Sequence, residues 1–305
     1  MPERVLVRAA LSRPHQRTVN WRPWLFVAPA GLIVVAVTIL PLFYGLYLSL
    51  TNWNLMTSLS PHFSGLAAYR SIFSSSQFYS SLRLTVYWAI GTLFLEIIVA
   101  LPLAMLLNVR TPITGAITGL MMLPWITPFV VLAYAWVFLY DGTFGPLHAL
   151  LHGLHLVGAV SPLAASNEAL WAVILISGWQ GMPFLTVALL AARKGIPQEL
   201  YEAAAVDGAA RIRMFRRITL PLLTPTLGAM SVILFVQAFY SFDIVWLSTK
   251  GGPGSATNIL GVNLYQTFFS QAQPGAAAAL GTLMLIILVF AMTPLLVGTS
   301  RRGRT

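Results

Sequence analysis

Six long apolar stretches limit what this chain can fold into more than any other feature of its sequence. A helix needs about 20 predominantly apolar residues to cross the hydrocarbon core of a bilayer, and each stretch is long enough. Prolines inside some of them do not argue against helices, because neighbouring helices and side chains satisfy the freed carbonyls. The sequence therefore predicts an all-α integral membrane protein with six transmembrane helices, at residues 25–50, 82–108, 116–140, 169–192, 224–247 and 276–299.

The composition supports lipid as the solvent of this chain. Only 9% of its 305 residues are charged and 57% are hydrophobic, whereas a soluble domain carries roughly 25% charged residues. The net charge of +10 comes from arginines at the ends of apolar runs, without the basic face interleaved with aromatics that nucleic-acid binding needs. Membrane lipid, and no nucleic acid, is the predicted partner. The absence of cysteine excludes disulfides, cysteine zinc sites and thiol catalysis.

The lysines and arginines predict that both termini face the cytoplasm. Loops on the cytoplasmic side carry an excess of these residues, and with the N-terminus inside 15 of the 18 lie in cytoplasmic segments. A basic start before an apolar run also occurs in signal peptides, but this run is too long, so an uncleaved first span is predicted. The expected organisation is a basic segment at 1–24, a transmembrane domain at 25–300 and a cytoplasmic tail at 301–305.

The fourth loop, residues 193–225, carries the most information about function. Pro197 suits the first turn of a helix, Glu199 and Glu202 lie near its positive end, and Gly208 tolerates the left-handed conformation that ends one. A second, basic helical segment then follows and ends at Leu220-Pro221. These features predict a short helix pair on the cytoplasmic surface. Taken alone, the loop is equally compatible with a connector whose arginines contact anionic lipid headgroups.

The same loop resembles the EAA motif of ABC-importer permeases. Glu202 to Ala209 match EAA-x-x-DGA, and Phe215 to Pro221 match F-x-x-I-x-LP. In that family this segment is the coupling helix, which docks into a groove on a separate ATPase subunit. The resemblance implies that the ATPase-coupling residues are Glu202, Ala203, Ala204, Asp207, Gly208, Ala209 and Phe215.

Further motifs look like those of carbohydrate-importer permeases of the maltose type. They are Ser49 to Trp53, Leu123 to Trp125, Trp179 to Phe184, Phe242-Asp243 and Gly251 to Pro253. The resemblance implies a type I ABC-importer permease fold in a bacterial or archaeal plasma membrane. It also implies three kinds of partner: a second homologous permease chain, two ATPase subunits, and an extracytoplasmic solute-binding protein that delivers the substrate.

The resemblance further implies what is transported and where the chemistry of ATP takes place. The expected substrate is a di- or oligosaccharide, or a sugar-like solute such as a glycerol-phosphate compound. ATP and magnesium would bind to the partner ATPase subunits, so this chain is expected to hold no cofactor. It also has no P-loop, since neither of its two lysines follows a glycine, and no H-E-x-x-H or G-x-S-x-G sequence. The chain is therefore not expected to be an enzyme; a single-chain secondary solute carrier is the alternative.

A discontinuity in the fourth span suggests a substrate path. Gly181 and Pro183 interrupt the helix there, and such interruptions often line a water-filled cavity, although small residues also simply let helices pack closely. Gln180 offers a donor and an acceptor to hydroxyls, and Phe184 offers a ring face. The predicted path consists of Gln180, Gly181, Phe184, Gln237, Ser241 and Asp243.

Two other groups of ionisable residues have uses that the sequence leaves open. Glu96 lies inside the second span, where an ionisable residue is a functional candidate, but the chain shows no relay of further carboxylates or histidines beside it. A hydrogen bond to a neighbouring helix is the expected role of Glu96. His148, His152 and His155 have the spacing of a helical metal site, yet no carboxylate lies close to them in sequence, so no metal is expected.

Overall fold

The structure, a computed structural model, describes residues 22–109 and 111–302, with the surroundings of side chains described from residue 26 to residue 293. The predicted basic segment up to residue 21 and the tail from residue 303 lie outside this part of the chain. The described residues are helical and contain no strand, apart from one isolated bridge between Thr51 and Phe63. Contacts divide the chain into two compact units that meet between Gly45 and Leu46, and every feature discussed below as functional lies in the second.

The described residues form fifteen α-helices. In chain order they are α1 (Arg22–Val34), α2 (Leu40–Leu48), α3 (Ala67–Ser74), α4 (Ser76–Leu106), α5 (Thr114–Met121), α6 (Leu123–Ile126), α7 (Phe129–Leu139), α8 (Pro146–Gly153), α9 (Ala169–Lys194), α10 (Glu199–Val206), α11 (Arg211–Met214), α12 (Leu220–Tyr240), α13 (Asp243–Thr249), α14 (Leu260–Tyr265) and α15 (Pro274–Arg302). Three π-helical turns, Val35–Ile39, Phe215–Thr219 and Gln266–Ser270, join consecutive helices, and Pro162–Ala164 form a 3-10 turn.

The number of spans agrees with the prediction. Within the described residues, five continuous helical segments are long and apolar enough to cross a membrane, and a bent helix pair makes six when its two halves are counted as one span. The continuous segments are Phe26–Leu48, Ser76–Leu106, Ala169–Lys194, Arg211–Tyr240 and Pro274–Thr293, and the bent pair is Thr114–Ile126 with Phe129–Leu139.

The third span is not the single straight helix predicted for residues 116–140. Its two halves meet at an angle of 96°. Thr127 and Pro128 between them have extended backbone, with ψ angles of 131° and 137°. The residue before a proline is driven out of the helical region by the proline ring, and Thr127 has adopted that alternative. The polypeptide therefore turns sharply within the membrane-spanning part.

The fifth span also differs from the prediction of residues 224–247. Its helix already begins at Arg211 and ends at Tyr240, so the predicted stop at Leu220-Pro221 is wrong. Beyond Tyr240 the backbone of Ser241 is extended. A Cβ at Gly261 would lie only 3.2 Å from the Ser241 carbonyl oxygen, so the backbone at the break lies close to a distant part of the chain.

Two prolines at span positions are accommodated by π turns. Val35–Ile39 ends two residues before Pro41, and Phe215–Thr219 ends two residues before Pro221. A π turn shifts the backbone hydrogen bonds by one residue, and it does so here beside a residue that has no N–H to donate. The helix consequently continues through Pro221 instead of ending there.

Close packing of α4 against α9 organises the centre of the second unit. Two glycines of α9 face α4: a Cβ at Gly178 would collide with Leu95, and a Cβ at Gly181 would collide with the Glu96 carboxyl. Small residues at such contacts let two membrane helices approach. A hydrogen bond also connects α4 to the fifth span: the indole N–H of the buried Trp88 donates to the Ala238 carbonyl at 3.0 Å. That carbonyl lies in the last turn of α12, where it also accepts the N–H of Ser241 at 3.1 Å.

Candidate functional site

A cavity of about 470 Å³ lies among α4, α6, α7, α9, α12 and α13. The bend of the third span and the end of α12 both contribute to its wall, so it forms where the helices depart from straight spans. Its lining residues are Trp88, Thr92, Glu96, Trp125, Phe129, Ser177, Gln180, Gly181, Phe184, Leu234, Gln237, Ala238, Tyr240, Ser241, Asp243 and Ile244.

All six residues predicted for the substrate path line this one cavity. Gln180, Gly181 and Phe184 come from α9, and Gln237 comes from the last turn of α12. Ser241 and Asp243 follow the break after α12 instead of continuing the helix of Gln237. Asp243 is the first residue of α13 and is exposed.

An aromatic pair forms one side of the cavity. The rings of Trp125 and Phe184 are stacked, with centroids 5.5 Å apart and planes inclined by only 5°. Sequence reasoning noted Trp125 only as part of the Leu-Pro-Trp motif and did not assign it to the cavity. Pro124 before it is the second residue of α6, the short helix that precedes the bend. Flat ring faces of this kind bind the apolar faces of small ligands.

Two carboxyl groups line the cavity, and they have different surroundings. Asp243 is exposed, whereas Glu96 is only 5% exposed and lies against Gly181. The expected hydrogen bond from Glu96 to a neighbouring helix is not found among the described residues, although the carboxyl does contact α9. No lysine, arginine or histidine stands among the described residues that line the cavity. The described lining therefore holds two carboxyl groups and no basic side chain.

Two other sequence candidates lie outside the cavity. Trp179 packs edge-on against Trp136, with ring centroids 5.5 Å apart. His148 and His152 are stacked on α8, and their ring nitrogens donate to the carbonyl oxygens of Gly158 and Val157. The described residues contain no group of three or more potential metal ligands. The two histidines therefore hold the loop that follows α8.

The loop between α9 and the fifth span forms a short helix with a defined end. α10 begins at Glu199, so Pro197 stands just outside it. At its end the N–H of Gly208 donates to Ala205 and that of Ala209 donates to Ala204, and Gly208 has a φ of +73°. This is the Schellman arrangement, which requires a left-handed residue after the helix. The left-handed role predicted for Gly208 is confirmed.

Two contacts hold α10 against both neighbouring spans. The Tyr201 hydroxyl and the Thr219 hydroxyl are hydrogen-bonded at 2.8 Å, which ties α10 to the start of the fifth span. The Arg193 guanidinium lies 4.1 Å from the centre of the Tyr201 ring, which ties it to the end of α9 through a cation–π contact. The sequence analysis singled out none of these side-chain contacts, since nothing in the motif itself shows where Tyr201 points.

Most of the predicted coupling residues lie on an exposed surface. Glu202, Ala203, Asp207 and Gly208 are exposed, while Ala204 and Ala209 are partly buried. Val206 and Ile212 flank them with exposures of 88% and 69%, and we call this set the coupling surface. Phe215 is separate: it is partly buried and lines an apolar groove with residues of α4.

Known proteins with similar sequences include several permeases. The chain is 32% identical over 280 residues to the trehalose/maltose transport system permease protein MalF of Thermococcus litoralis, covering 92% of this chain and 94% of that protein. It is 30% identical to the sulfoquinovosyl glycerol transport system permease protein SmoG of Agrobacterium fabrum, covering 94% and 95% of the two chains. A probable starch degradation products transport system permease protein, AmyD of Thermoanaerobacterium thermosulfurigenes, is 28% identical over 265 residues.

The fold is that of an ABC-importer permease. It superposes on a chain from the crystal structure of a bacterial ABC transporter that imports the acidic polysaccharide alginate, with a TM-score of 0.79 and 21% identity, covering 92% of this chain and 96% of that one. Residues 96–301, which hold the coupling surface and most of the cavity wall, match the family described as binding-protein-dependent transport system inner membrane component. The chain therefore belongs to that family of inner-membrane transport components.

Proposed function

We propose that this chain is the membrane-spanning permease subunit of an ATP-driven importer and that a sugar or sugar-like solute passes through the cavity. One observation carries the proposal: a single cavity combines amide, hydroxyl and carboxyl groups with stacked aromatic rings. Gln180 and Gln237 each offer donors and an acceptor to sugar hydroxyls, and the Trp125–Phe184 pair offers ring faces. Relatives named as trehalose/maltose and starch-product permeases support a carbohydrate substrate.

ATP hydrolysis would take place in two separate ATPase subunits that dock on the coupling surface. Val206 and Ile212 expose apolar side chains around Gly208, and exposed apolar groups that cluster at one place commonly mark protein contacts. The family description names a binding-protein-dependent system, which supports an extracytoplasmic binding protein as the source of substrate. A second homologous permease chain would complete the pathway, and ATP and magnesium would stay on the ATPase subunits.

The charge distribution supports an orientation in which the end of the helices near α10 faces the cytoplasm. α10 is followed by four arginines, Arg211, Arg213, Arg216 and Arg217, at the start of the fifth span, which favours the cytoplasm for this end of the helices. Both termini then face the cytoplasm, and α8 with the loop around Gly158 faces outward. The ATPase subunits and the binding protein would thus contact opposite faces.

Reconstitution of the whole transporter tests this function. The chain, its partner permease and the ATPase subunits are placed in proteoliposomes, and uptake of maltose, trehalose and longer glucans is measured with the binding protein. We expect uptake that needs both ATP and the binding protein. ATP-independent uptake by the chain alone would instead identify a secondary solute carrier and overturn the proposal.

A further inference from the structure

Three buried polar side chains at the seam between α4 and α9 have nothing in the described structure to bind. Thr92, Glu96 and Ser177 are 4%, 5% and 6% exposed, and all three line the cavity. The hydroxyl oxygens of Thr92 and Ser177 are buried without a hydrogen-bond partner among the described residues, and none is found there for the Glu96 carboxyl. Thr92 and Glu96 are one helical turn apart, which places them on the same face of α4.

Unpartnered polar groups at this depth call for an explanation. Buried side-chain polar atoms nearly always find a partner, and leaving one without is unfavourable. Other buried hydroxyls in the same helices do have partners: Thr85 donates to the Ser81 carbonyl, and Thr186 donates to the Met182 carbonyl. Buried polar atoms without a partner also occur at Glu168, Ser248 and Asn258, but Thr92 and Ser177 are the ones among the described residues that line the cavity. A ligand in the cavity would satisfy these two hydroxyls.

The helix opposite Glu96, α9, leaves room for the Glu96 carboxyl group. A Cβ at Gly181 would collide with Glu96, so any larger residue would displace the carboxyl from its present position. Gly181 is itself buried and lines the cavity. The glycine therefore fixes where the carboxyl lies on the cavity wall, which a purely packing role for Gly181 does not require.

We propose that Glu96, with Thr92 and Ser177 beside it, forms an acidic subsite that binds hydroxyl groups of an uncharged sugar and disfavours anionic ones. This rests on the proposed function and narrows its substrate class. A carboxyl accepts hydrogen bonds in either protonation state, and sugar hydroxyls supply the donors. A phosphate, sulfonate or carboxylate group brings negative charge into a cavity where Asp243 is already acidic and no described lining residue is basic.

The sign of the field in the cavity can be measured without knowing the substrate. The chain has no cysteine, so Gln180→Cys places a single thiol in the lining. In the assembled transporter, with cysteines of the other subunits replaced, this thiol is treated with the anionic sulfonatoethyl or the cationic trimethylammonioethyl methanethiosulfonate. For each reagent, the rate of reaction with the introduced thiol is divided by the rate of reaction with a free thiol. We expect the cationic reagent to react at least about tenfold faster, since like charges about 10 Å apart repel appreciably at protein dielectric values.

Neutralising the carboxyls identifies the source of that field. In the Gln180→Cys background, Glu96→Gln and Asp243→Asn together should bring the ratio of the two rates close to one. Glu168→Gln, a change of charge outside the cavity, should leave the ratio unchanged. Equal rates for both reagents in the starting variant, or a ratio that survives both neutralisations, would overturn the acidic subsite.

Uptake measures whether Glu96 touches the substrate. With maltose as the probe, Glu96→Leu should raise the KM at least about tenfold, because the hydroxyl of the sugar then loses an acceptor in a buried site. Glu96→Gln should raise the KM less than Glu96→Leu does, since an amide still accepts a hydrogen bond. Thr186→Val removes a hydroxyl that already has its partner and serves as the matched control.

The two outcomes separate this inference from the function on which it rests. An unchanged KM in Glu96→Leu, with Thr186→Val also unchanged, contradicts the subsite while leaving the importer in place. If Glu96→Leu fails to assemble, the reagent ratio in the variant that combines Glu96→Gln and Asp243→Asn still decides the sign of the charge in the cavity. Loss of ATP-dependent uptake in the unmodified transporter, in contrast, contradicts the proposed function and leaves the reagent experiment valid.

Discussion

Gln180 occupies a position in α9 where the polar and the aromatic parts of the cavity meet. Gly181 follows it on the acidic side, and Phe184, one turn later, carries the ring that stacks on Trp125. A side chain with both a donor and an acceptor at this place can bind a hydroxyl that is also close to a ring face. Its removal should therefore affect substrate passage more than folding.

We predict that Gln180→Leu lowers sugar uptake about tenfold, the loss expected when one buried hydrogen bond to a ligand is no longer made. The complex should still assemble, and its ATPase should still respond to the loaded binding protein. Uptake and ATPase rates measured on the same proteoliposomes test both parts. Trp179→Phe is the control, because Trp179 packs against Trp136 outside the cavity. Unchanged uptake in both Gln180→Leu and Phe184→Ala would place the path elsewhere.

Among the elements, α10 is the one whose shape depends most on a single residue. The Schellman end of the helix needs a left-handed residue at position 208, and Gly208 has open space around it, since no atom lies within 4 Å of the point that a Cβ would occupy. A substitution there consequently meets backbone strain rather than a clash inside the chain. Any obstruction it causes must arise against a docking partner.

Gly208→Asp should leave the chain inserted in the membrane but weaken its association with the ATPase subunits and abolish uptake. The strain of a left-handed Cβ is roughly 1–2 kcal/mol, and the added charge lies in the centre of the coupling surface. Co-purification of the ATPase subunits gives the readout. Gly65→Asp is the matched control, because Gly65 is also left-handed at +61° with open space around it. Normal transport by Gly208→Asp would remove the docking role.

The contact of α4 with α9 should be sensitive to one methyl group. A Cβ at Gly178 would lie 2.9 Å from Leu95 Cγ, and overpacking of this kind costs roughly 1–3 kcal/mol. We expect Gly178→Ala to lower the thermal stability of the purified complex. Gly115→Ala, where nothing lies within 4 Å of the new Cβ, should be neutral or slightly stabilising. Equal stability of the two variants would contradict the close packing.

For the whole molecule, the side of the membrane occupied by each loop is the property easiest to test. A reporter fused after Arg304 should be cytoplasmic, and one inserted near Gly158 should be external, because lysine and arginine concentrate in the segments assigned to the inside. Alkaline phosphatase and green fluorescent protein fusions give opposite signals for the two sides. A cytoplasmic signal at Gly158 would contradict the six-span topology.

The sequence predicted the number of spans and the residues of the cavity better than the shapes of the helices. Span number follows from apolar length, which a linear sequence displays. The bend at Pro128 could not be distinguished from Pro102 and Pro183, which lie within continuous helices, because neighbouring contacts decide which proline interrupts a helix. The break after Tyr240 lies against Gly261, about twenty residues away, and such a contact is invisible in local sequence.

The buried hydroxyls of the seam show a second limit. Thr92 and Ser177 resemble many hydroxyl residues in the spans, and most of these bond to the preceding turn of their own helix, as Thr186 does. Thr92 and Ser177 differ from the other hydroxyl residues because their positions on α4 and α9 place them on the cavity wall. No periodicity in the sequence contains that information, since it depends on how two distant helices are rotated against each other.

The continuity of the helix from Arg211 to Tyr240 has a mechanical consequence. Thirty residues without a break make a rod about 45 Å long, with the coupling surface beside one end and Gln237 near the other. Such a rod acts as a lever: a tilt of about 5° about its lower end would carry the upper end sideways by roughly 4 Å at this length. Since the helix ends at Tyr240, that displacement would act on the part of the cavity wall that Gln237 and Ala238 form.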